Sequence, residues 1–385
     1  MRKILLFCFI VSLFCGCNAN KDVIVKKEKD ITFNVGYPCR FFGANMFYNA
    51  SDKQTYLYFA EPLTNKKIRI FDDNFKFVKE ISTKDIPFNQ TTKVEMISLD
   101  TALIKTGYSF YLINDKGKIL DSSTLSEHKS SEKNDSNDKQ YTYMLINPHY
   151  FINGKLYLKT GMRYQHRNDL PRDEVDRLSI IKQREAPAMM SVELFNPKAK
   201  REFYLYDFYK NIGNEKDWII SSDFNFTIDD ENNKMIAQSR WSNKLFIINL
   251  HSMKQEMIVK IESDYTTIGT KPIANNNTFA YKTAVLLDHT NGEIEKVYFD
   301  PFRSLYYVQV SHTNKQAKEE ERVPSWSLII MNKQFVKIKE VFFKAGEYLY
   351  YGNFLITKQG ILIPKINNED EDDPTFTLFS VNFTD

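Results

Sequence analysis

Apolar and polar positions alternate along most of this chain, and the alternation breaks at short polar turns. Five segments read as hairpins: KIRIFDDNFKFVKEI (67–81), FYLINDKGKILDSS (110–123), SVELFNPKAKREFYLY (191–206), LFIINLHSMKQEMIVKI (245–261) and SLIIMNKQFVKIKEVFF (327–343). Each places Asp, Asn, Gly or Pro between two strands, where those residues close a turn. A second set of apolar segments follows polar turns: QTYLYFAEP (54–62), TALIKTG (101–107), GKLYLKTG (154–161), KMIAQSRW (234–241), SLYYVQVSH (304–312) and QGILIPKI (359–366). Strand, turn, strand, loop, hairpin is the outline of a four-stranded propeller blade. The outline recurs six times, over roughly 41–83, 84–125, 141–208, 218–262, 290–343 and 347–385. The expectation is an all-β, six-bladed propeller of antiparallel blades. Its last blade supplies only TFTLFSVNF (375–383) as a third strand, so ITFNVGY (31–37) is predicted to be the fourth and to close the ring, leaving no bare sheet edge there.

The spacing is uneven. SEHKSSEKNDSNDK (126–139) reads as a solvated loop, and residues 163–190 as an insertion within the third blade. Residues 265–290 read either as a long crossing or as part of a seventh, reduced blade. A solenoid or a pair of β-sandwiches is the broader alternative.

The first residues have a different pattern. Arg2 and Lys3 precede an apolar run, Ile4 to Phe14, that ends in Gly16-Cys17 and passes into polar sequence. Eleven apolar residues are too few to span a bilayer core of roughly 30 Å but suit a secretory leader. A small residue directly before a cysteine resembles a bacterial lipobox, although Phe14 stands where Leu is usual. The expectation is a signal peptide over 1–16, lipid on Cys17, a tether over 17–30 and one domain over 31–385. The location would then be the cell envelope, at the outer membrane, with the periplasmic or surface face left open. An ordinary cleaved leader and an uncut anchor are the alternatives.

Composition narrows the partners. Without residues 1–16 the chain carries 50 Lys and Arg against 49 Asp and Glu, which gives no electrostatic reason to expect nucleic acid. After Cys8, Cys15 and Cys17 are assigned to leader and lipid, Cys39 is alone, so no intramolecular disulfide is expected. Thirty Phe and 22 Tyr against 13 Gly and 12 Pro favour strands.

The segment VYFDPFRSLYYVQV (297–310), the lipobox, the length and the NDKGKIL-type turns together resemble uncharacterised lipoproteins of the Bacteroidetes. That resemblance implies a six-bladed, TolB-like propeller and an envelope location. It implies no activity and no site residues.

Candidate chemistry is sparse in the sequence. It holds no HExxH, GxSxG, glycine-rich phosphate loop or paired CxxC. His128, His149, His166, His251, His289 and His312 lack the spacing of a metal site on one element, so no metal or other cofactor is expected. The acidic run NNEDEDDP (367–374) lacks the alternating ligands and central Gly of a calcium loop and reads as solvated charge. The blade outline does place one constellation on a shared rim: Arg163, Tyr164, His166 and Arg167 of the third blade, Arg240 and Trp241 of the fourth, and His312, Arg322 and Trp326 of the fifth. Arg forks suit carboxylate or phosphate, and indole faces suit sugars or cations. The competing expectation is that the tryptophans pack between blades while the arginines are solvated. Arg303 is predicted on the opposite face, in a salt bridge or turn hydrogen bond. Three functions stay open: an envelope module binding a small ligand or partner protein without catalysis, a propeller hydrolase, lactonase or lyase using His166, Arg240 and His312, and a structural subunit of an outer-membrane complex.

Overall fold

Strands pair into six radial antiparallel sheets that follow one another around an axis. The computed structural model describes residues 22–36, 43–49, 51–61, 66–87, 92–125, 128–131, 140–164, 187–206, 208, 218–219, 224–239, 242–269, 273–274, 291–312, 324–349, 353–366 and 373–384. Strand β1 (Val23–Thr32) belongs to the last sheet. Blade 1 is β2 (Ala44–Asn49), β3 (Gln54–Glu61), β4 (Lys67–Phe71) and β5 (Phe77–Ser82). Blade 2 is β6 (Lys93–Ser98), β7 (Thr101–Thr106), β8 (Ser109–Asn114) and β9 (Ile119–Thr124). Blade 3 has five strands: β10 (His128–Ser131), β11 (Gln140–Ile152), β12 (Lys155–Tyr164), β13 (Met189–Glu193) and β14 (Glu202–Tyr204). A two-residue strand, β15 (Trp218–Ile219), precedes blade 4, which is β16 (Phe224–Asp229), β17 (Lys234–Ser239), β18 (Lys244–Asn249) and β19 (Gln255–Lys260). After β20 (Ile273–Ala274), blade 5 is β21 (Glu293–Asp300), β22 (Leu305–Ser311), β23 (Trp326–Asn332) and β24 (Lys337–Phe343). Blade 6 is β25 (Leu355–Thr357), β26 (Gly360–Pro364) and β27 (Thr375–Phe383), with β1 outermost.

Two details differ from the sequence expectation, and a third decides between its alternatives. The closing strand starts at Val23, eight residues before the predicted Ile31, and pairs Val23 with Phe383 through Thr32 with Thr375. Residues 23–30 are therefore blade, although VIVKKEKD reads as tether. Its outward edge faces solvent, so its burial pattern shows little of the alternation that marks other strands. Part of the predicted loop at 126–139 forms β10, which pairs His128 with Tyr143. At 265–290, among the described residues, β20 pairs with β15 in a two-residue ladder, and the blades number six as expected.

The hairpins between third and fourth strands share one device. The side chain of Asp72, Asn114 or Asn332 accepts amides two and four residues on, as from Lys116 and Lys118 to Asn114 Oδ1 at 3.1 and 2.9 Å. A left-handed residue follows at Phe75, Gly117 or Phe335, with φ between 61° and 77°, and the ladder shifts register beyond it. Gly117 is required for a second reason: a Cβ there would lie 2.0 Å from the Ser82 carbonyl of blade 1. Phe335 takes the same strained backbone but sinks its ring into the core, 4.5 Å from the Tyr306 ring.

Six apolar cores fill the six gaps between blades. Middle strands serve two gaps at once. In β22, Leu305 and Tyr307 face blade 6 while Tyr306, Val308 and Val310 face blade 4. This is why LYYVQVS is buried along its whole length. Arg303 ties two blades on the turn face, as expected. It donates to Asp300 Oδ2 at 2.9 Å, to the carbonyls of Thr357 and Lys358 in the next blade at 3.1 and 2.7 Å, and to Val381 O at 2.9 Å.

The innermost strands, β2, β6, β11, β16, β21 and β25, present unpaired backbone edges to the axis. Each edge is met by a side chain of the preceding blade. Tyr58 Oη donates to Val94 O at 3.0 Å, and Glu95 Oε1 accepts from Phe151 N at 3.0 Å. Tyr150 Oη donates to Phe226 O at 3.1 Å, and Thr227 Oγ1 to Val297 O at 2.5 Å. Phe354 N donates to Tyr298 Oη at 3.4 Å, and Asn353 Nδ2 to Ala44 O at 3.0 Å. The circuit runs from blade 1 to blade 6 and back to blade 1. Leaving a buried backbone group unpaired costs about 1–3 kcal/mol, so the circuit removes a penalty that recurs at every blade.

Ring closure is centred on Phe33, just after β1. Its ring lies 4.9 Å from Phe59, 5.2 Å from Phe71 and 5.7 Å from Phe376, joining blades 1 and 6. Its amide bonds Pro374 O at 3.1 Å, and Asp373 Oδ1 accepts from Val35 N at 3.1 Å. Phe33→Ala is expected to destabilise the protein by about 3–5 kcal/mol in urea unfolding monitored by tryptophan fluorescence. A loss below about 1 kcal/mol would mean that closure rests on other contacts.

Candidate functional site

The innermost strands begin on one face of the ring, beside the loops that join second and third strands. At those starts stand Asn45 and Lys93, both exposed, and Asn225, Lys296 and Asn353, all half-buried. Five blades thus direct polar side chains to one mouth of the axis. Lys93 sits across the ladder from Lys105, whose side chain is buried at the end of β7. Lys296 donates to Asn353 Oδ1 at 2.8 Å and lies 4.9 Å above the Tyr298 ring.

Burial and repulsion act together there. Burial, with Lys93 adding repulsion, lowers the Lys296 amine to about 8, and the same two causes lower Lys105 to about 8. Lys93 and Lys296 belong to blades 2 and 5, which stand opposite one another in a ring of six. Burial also lifts the Glu95 carboxyl to about 8, against the opposing pull of the Phe151 amide. Glu95 is therefore largely protonated at neutral pH. Blade 5 supplies a carboxylate of its own: Glu295 accepts from Ser311 Oγ at 2.7 Å.

The residues singled out from sequence are placed as follows. Trp326 is fully buried, stacked 4.0 Å from Phe343 and 5.3 Å from Phe354, in the core between blades 5 and 6. Its Nε1 has no acceptor among the described residues. His312 is buried too, with rings of Tyr265 at 6.0 Å and Phe342 at 5.5 Å. Both residues pack against neighbouring rings. Arg163 and Tyr164 end β12, opposite Thr142 and Tyr141. His166, Arg167, Arg240, Trp241 and Arg322 lie outside the described residues, as does Cys39.

His312 has a serine within reach, which bears on the hydrolase reading. Its Nε2 lies 3.0 Å from Ser327 Oγ, and Ser327 donates to Glu340 Oε1 at 2.6 Å. A hydroxyl has one proton, so His312 must be the donor to Ser327. A nucleophilic serine needs the reverse order, with the imidazole taking its proton. Ser327 is also fully buried, and Glu340 is further held by Ser263 at 2.6 Å, the Asp264 amide at 2.7 Å and Lys337 at 2.6 Å. Burial lowers the His312 pKa, with Glu340 opposing, which keeps the ring neutral. The network fastens the crossing at 263–264 to blade 5.

Sequence reasoning missed Glu95 and Lys296. The available signal was a charge inside an otherwise apolar innermost strand, in KVEMIS (93–98) and EIEKVYFD (293–300).

No family model matches the chain, and no curated protein matches it. Among solved structures it is similar to a member of the DUF4221 family from Bacteroides vulgatus, with TM-score 0.65, 17% identity, and 95% of this chain and 100% of that one covered. At that identity the likeness is one of fold, and it agrees with the Bacteroidetes propellers that the sequence resembles. The Cps50 (Swd1) β-propeller domain of Myceliophteria thermophila aligns at TM-score 0.40 and 10% identity, over 94% of this chain and 100% of that one. A luciferin-regenerating enzyme aligns at 0.42 and 9%, over 94% and 95%.

The Glu95 carboxyl gives a pH signature. Its pKa is raised on folding, so between about pH 4.5 and 8 the native state holds a proton that the unfolded chain has lost. Stability from this group is greatest below that window and falls as pH rises through it. Glu95→Gln keeps an oxygen for the Phe151 amide and removes the titration. Urea unfolding from pH 5 to 8 should show the wild type losing stability relative to the variant, whereas parallel curves would rule the assignment out.

Proposed function

We propose that this chain is a lipid-anchored, non-catalytic propeller of the cell envelope that binds a small anionic ligand, a carboxylate or phosphate, at the polar mouth of its axis. The supporting observation is that Lys93 of blade 2 and Lys296 of blade 5 repel one another across the axis, with Asn45, Asn225 and Asn353 on the innermost strands or just before them. Like charges that repel across a narrow opening are relieved by an anion between them, and asparagine amides add donors that orient it. A binding role also fits the use already made of the axial polar groups: Tyr58, Glu95, Tyr150 and Thr227 are engaged with the edge of the next blade. The anchor rests on Cys17 and its lipobox, and several acyl chains hold a protein stably where one does not.

Ligand linkage tests the site. An anion at about a hundred times its Kd adds about 2.7 kcal/mol of stability. Phosphate or citrate is expected to raise the thermal midpoint of the wild type by several degrees. Lys93→Ala should lose most of that rise, and Lys333→Ala, on the opposite face, should keep it. Equal responses in all three proteins would reduce the effect to general salt exclusion and overturn the proposal.

A further inference from the structure

The chain enters the ring on the face opposite the polar mouth. Strand β1 begins at Val23 beside Phe383, and Asp22 O accepts from Thr384 N at 2.7 Å. Arg303, in the turn between first and second strands of blade 5, reaches Val381 two residues away from Phe383. On the same face, Gln359 of the blade 6 turn bonds Asp73 O of the blade 1 hairpin turn at 2.7 Å. Entry point, inner turns and outer hairpin turns therefore share one side of the disc.

That side also carries most of the bare apolar surface. Phe77, Leu120, Val336, Ile24 and Phe383 lie where outer strands meet their hairpin turns in blades 1, 2, 5 and 6, and each is 40% to 54% exposed. Among the described residues, eight of the thirteen exposed large apolar side chains are on this side, counting also Tyr48, Val78 and Ile119. Met257 and Ile258 lie mid-strand, and Leu205, Tyr265 and Phe342 are towards the mouth.

We propose that this turn face rests on the lipid surface, with the apolar rim seated among the headgroups and the polar mouth directed away from the membrane. The inference rests on the lipid anchor at Cys17 proposed above. Five residues, 17 to 21, lie between that lipid and Asp22, where the described structure begins, and they span at most about 18 Å. A leash that short, leaving from the perimeter, brings the Val23 edge against the bilayer. It does not by itself choose between a disc on edge and a disc lying flat. Apolar groups on blades 1, 2 and 5 as well as on blade 6 select the flat arrangement, since only there do all of them reach lipid. Charges of both signs lie between them, including Lys76, Lys118, Asp72 and Asp115. The contact should therefore be apolar and nearly indifferent to salt.

The test uses the mature lipidated chain with Cys39→Ala, reconstituted in phosphatidylcholine vesicles and labelled with bimane at one of four positions: Phe77→Cys, Leu120→Cys, Val336→Cys or, at the mouth, Lys93→Cys. Brominated lipid is expected to quench the three rim labels, and aqueous iodide the Lys93→Cys label alone. Rim labels open to iodide, or shielded from both quenchers by a second copy of the chain, would overturn the orientation while the protein still floats with the vesicles. Protein that does not float, or floats equally well after Cys17→Ala, would instead overturn the anchor.

Discussion

Every blade of this ring ends at the axis in a strand with one bare edge, and the protein must satisfy that edge without adding a strand. It does so by lending each edge a side chain from the blade before: Tyr58, Glu95, Tyr150, Thr227, Tyr298 and Asn353 in turn. The direction is the same at these six bonds, while one more, from Ile356 N of blade 6 to Met46 Sδ of blade 1, runs the other way. Polar residues are therefore obligatory near the axis, whatever the protein binds, because apolar ones would leave backbone groups unpaired. The same requirement places Lys296 and Asn353 at the mouth, where they connect the ring and face a prospective ligand at once.

Between the blades the constraint is apolar. Six cores fill six gaps, and the middle strands are wetted on neither face. Charged groups that enter this interior are held by several partners. Glu340 takes four hydrogen bonds, and Arg303 spends its guanidinium on one carboxylate and three carbonyls. Both fix chain crossings or turns to a neighbouring blade. Glu340 and Arg303 are thus fasteners of the fold.

That is also why the fold was more legible in the sequence than the site. Hairpins announce themselves through Asx turns, and two-sided burial produces runs such as LYYVQVS that need little interpretation. The first half of the closing strand escaped because one side of it faces water, so Lys26, Lys27, Glu28 and Lys29 mask Val23 and Val25. The blade outline did not give the depth of His312 and Trp326, both of which are buried. Position along a strand does not say whether a side chain turns towards the opening or into the adjacent gap. Glu95 and Lys296 carried the opposite signal, a charge inside an apolar innermost strand, which in a ring marks the axis.

The account stands on the inner-edge circuit, and native-state hydrogen exchange of the Phe151 amide tests it most directly. This amide lies on an edge that no strand covers and donates to the Glu95 carboxyl. Protection approaching that of the ladder amides in β12 is expected. Exchange at the rate of an exposed loop, with β12 still protected, would show that side chains from the preceding blade do not close the ring.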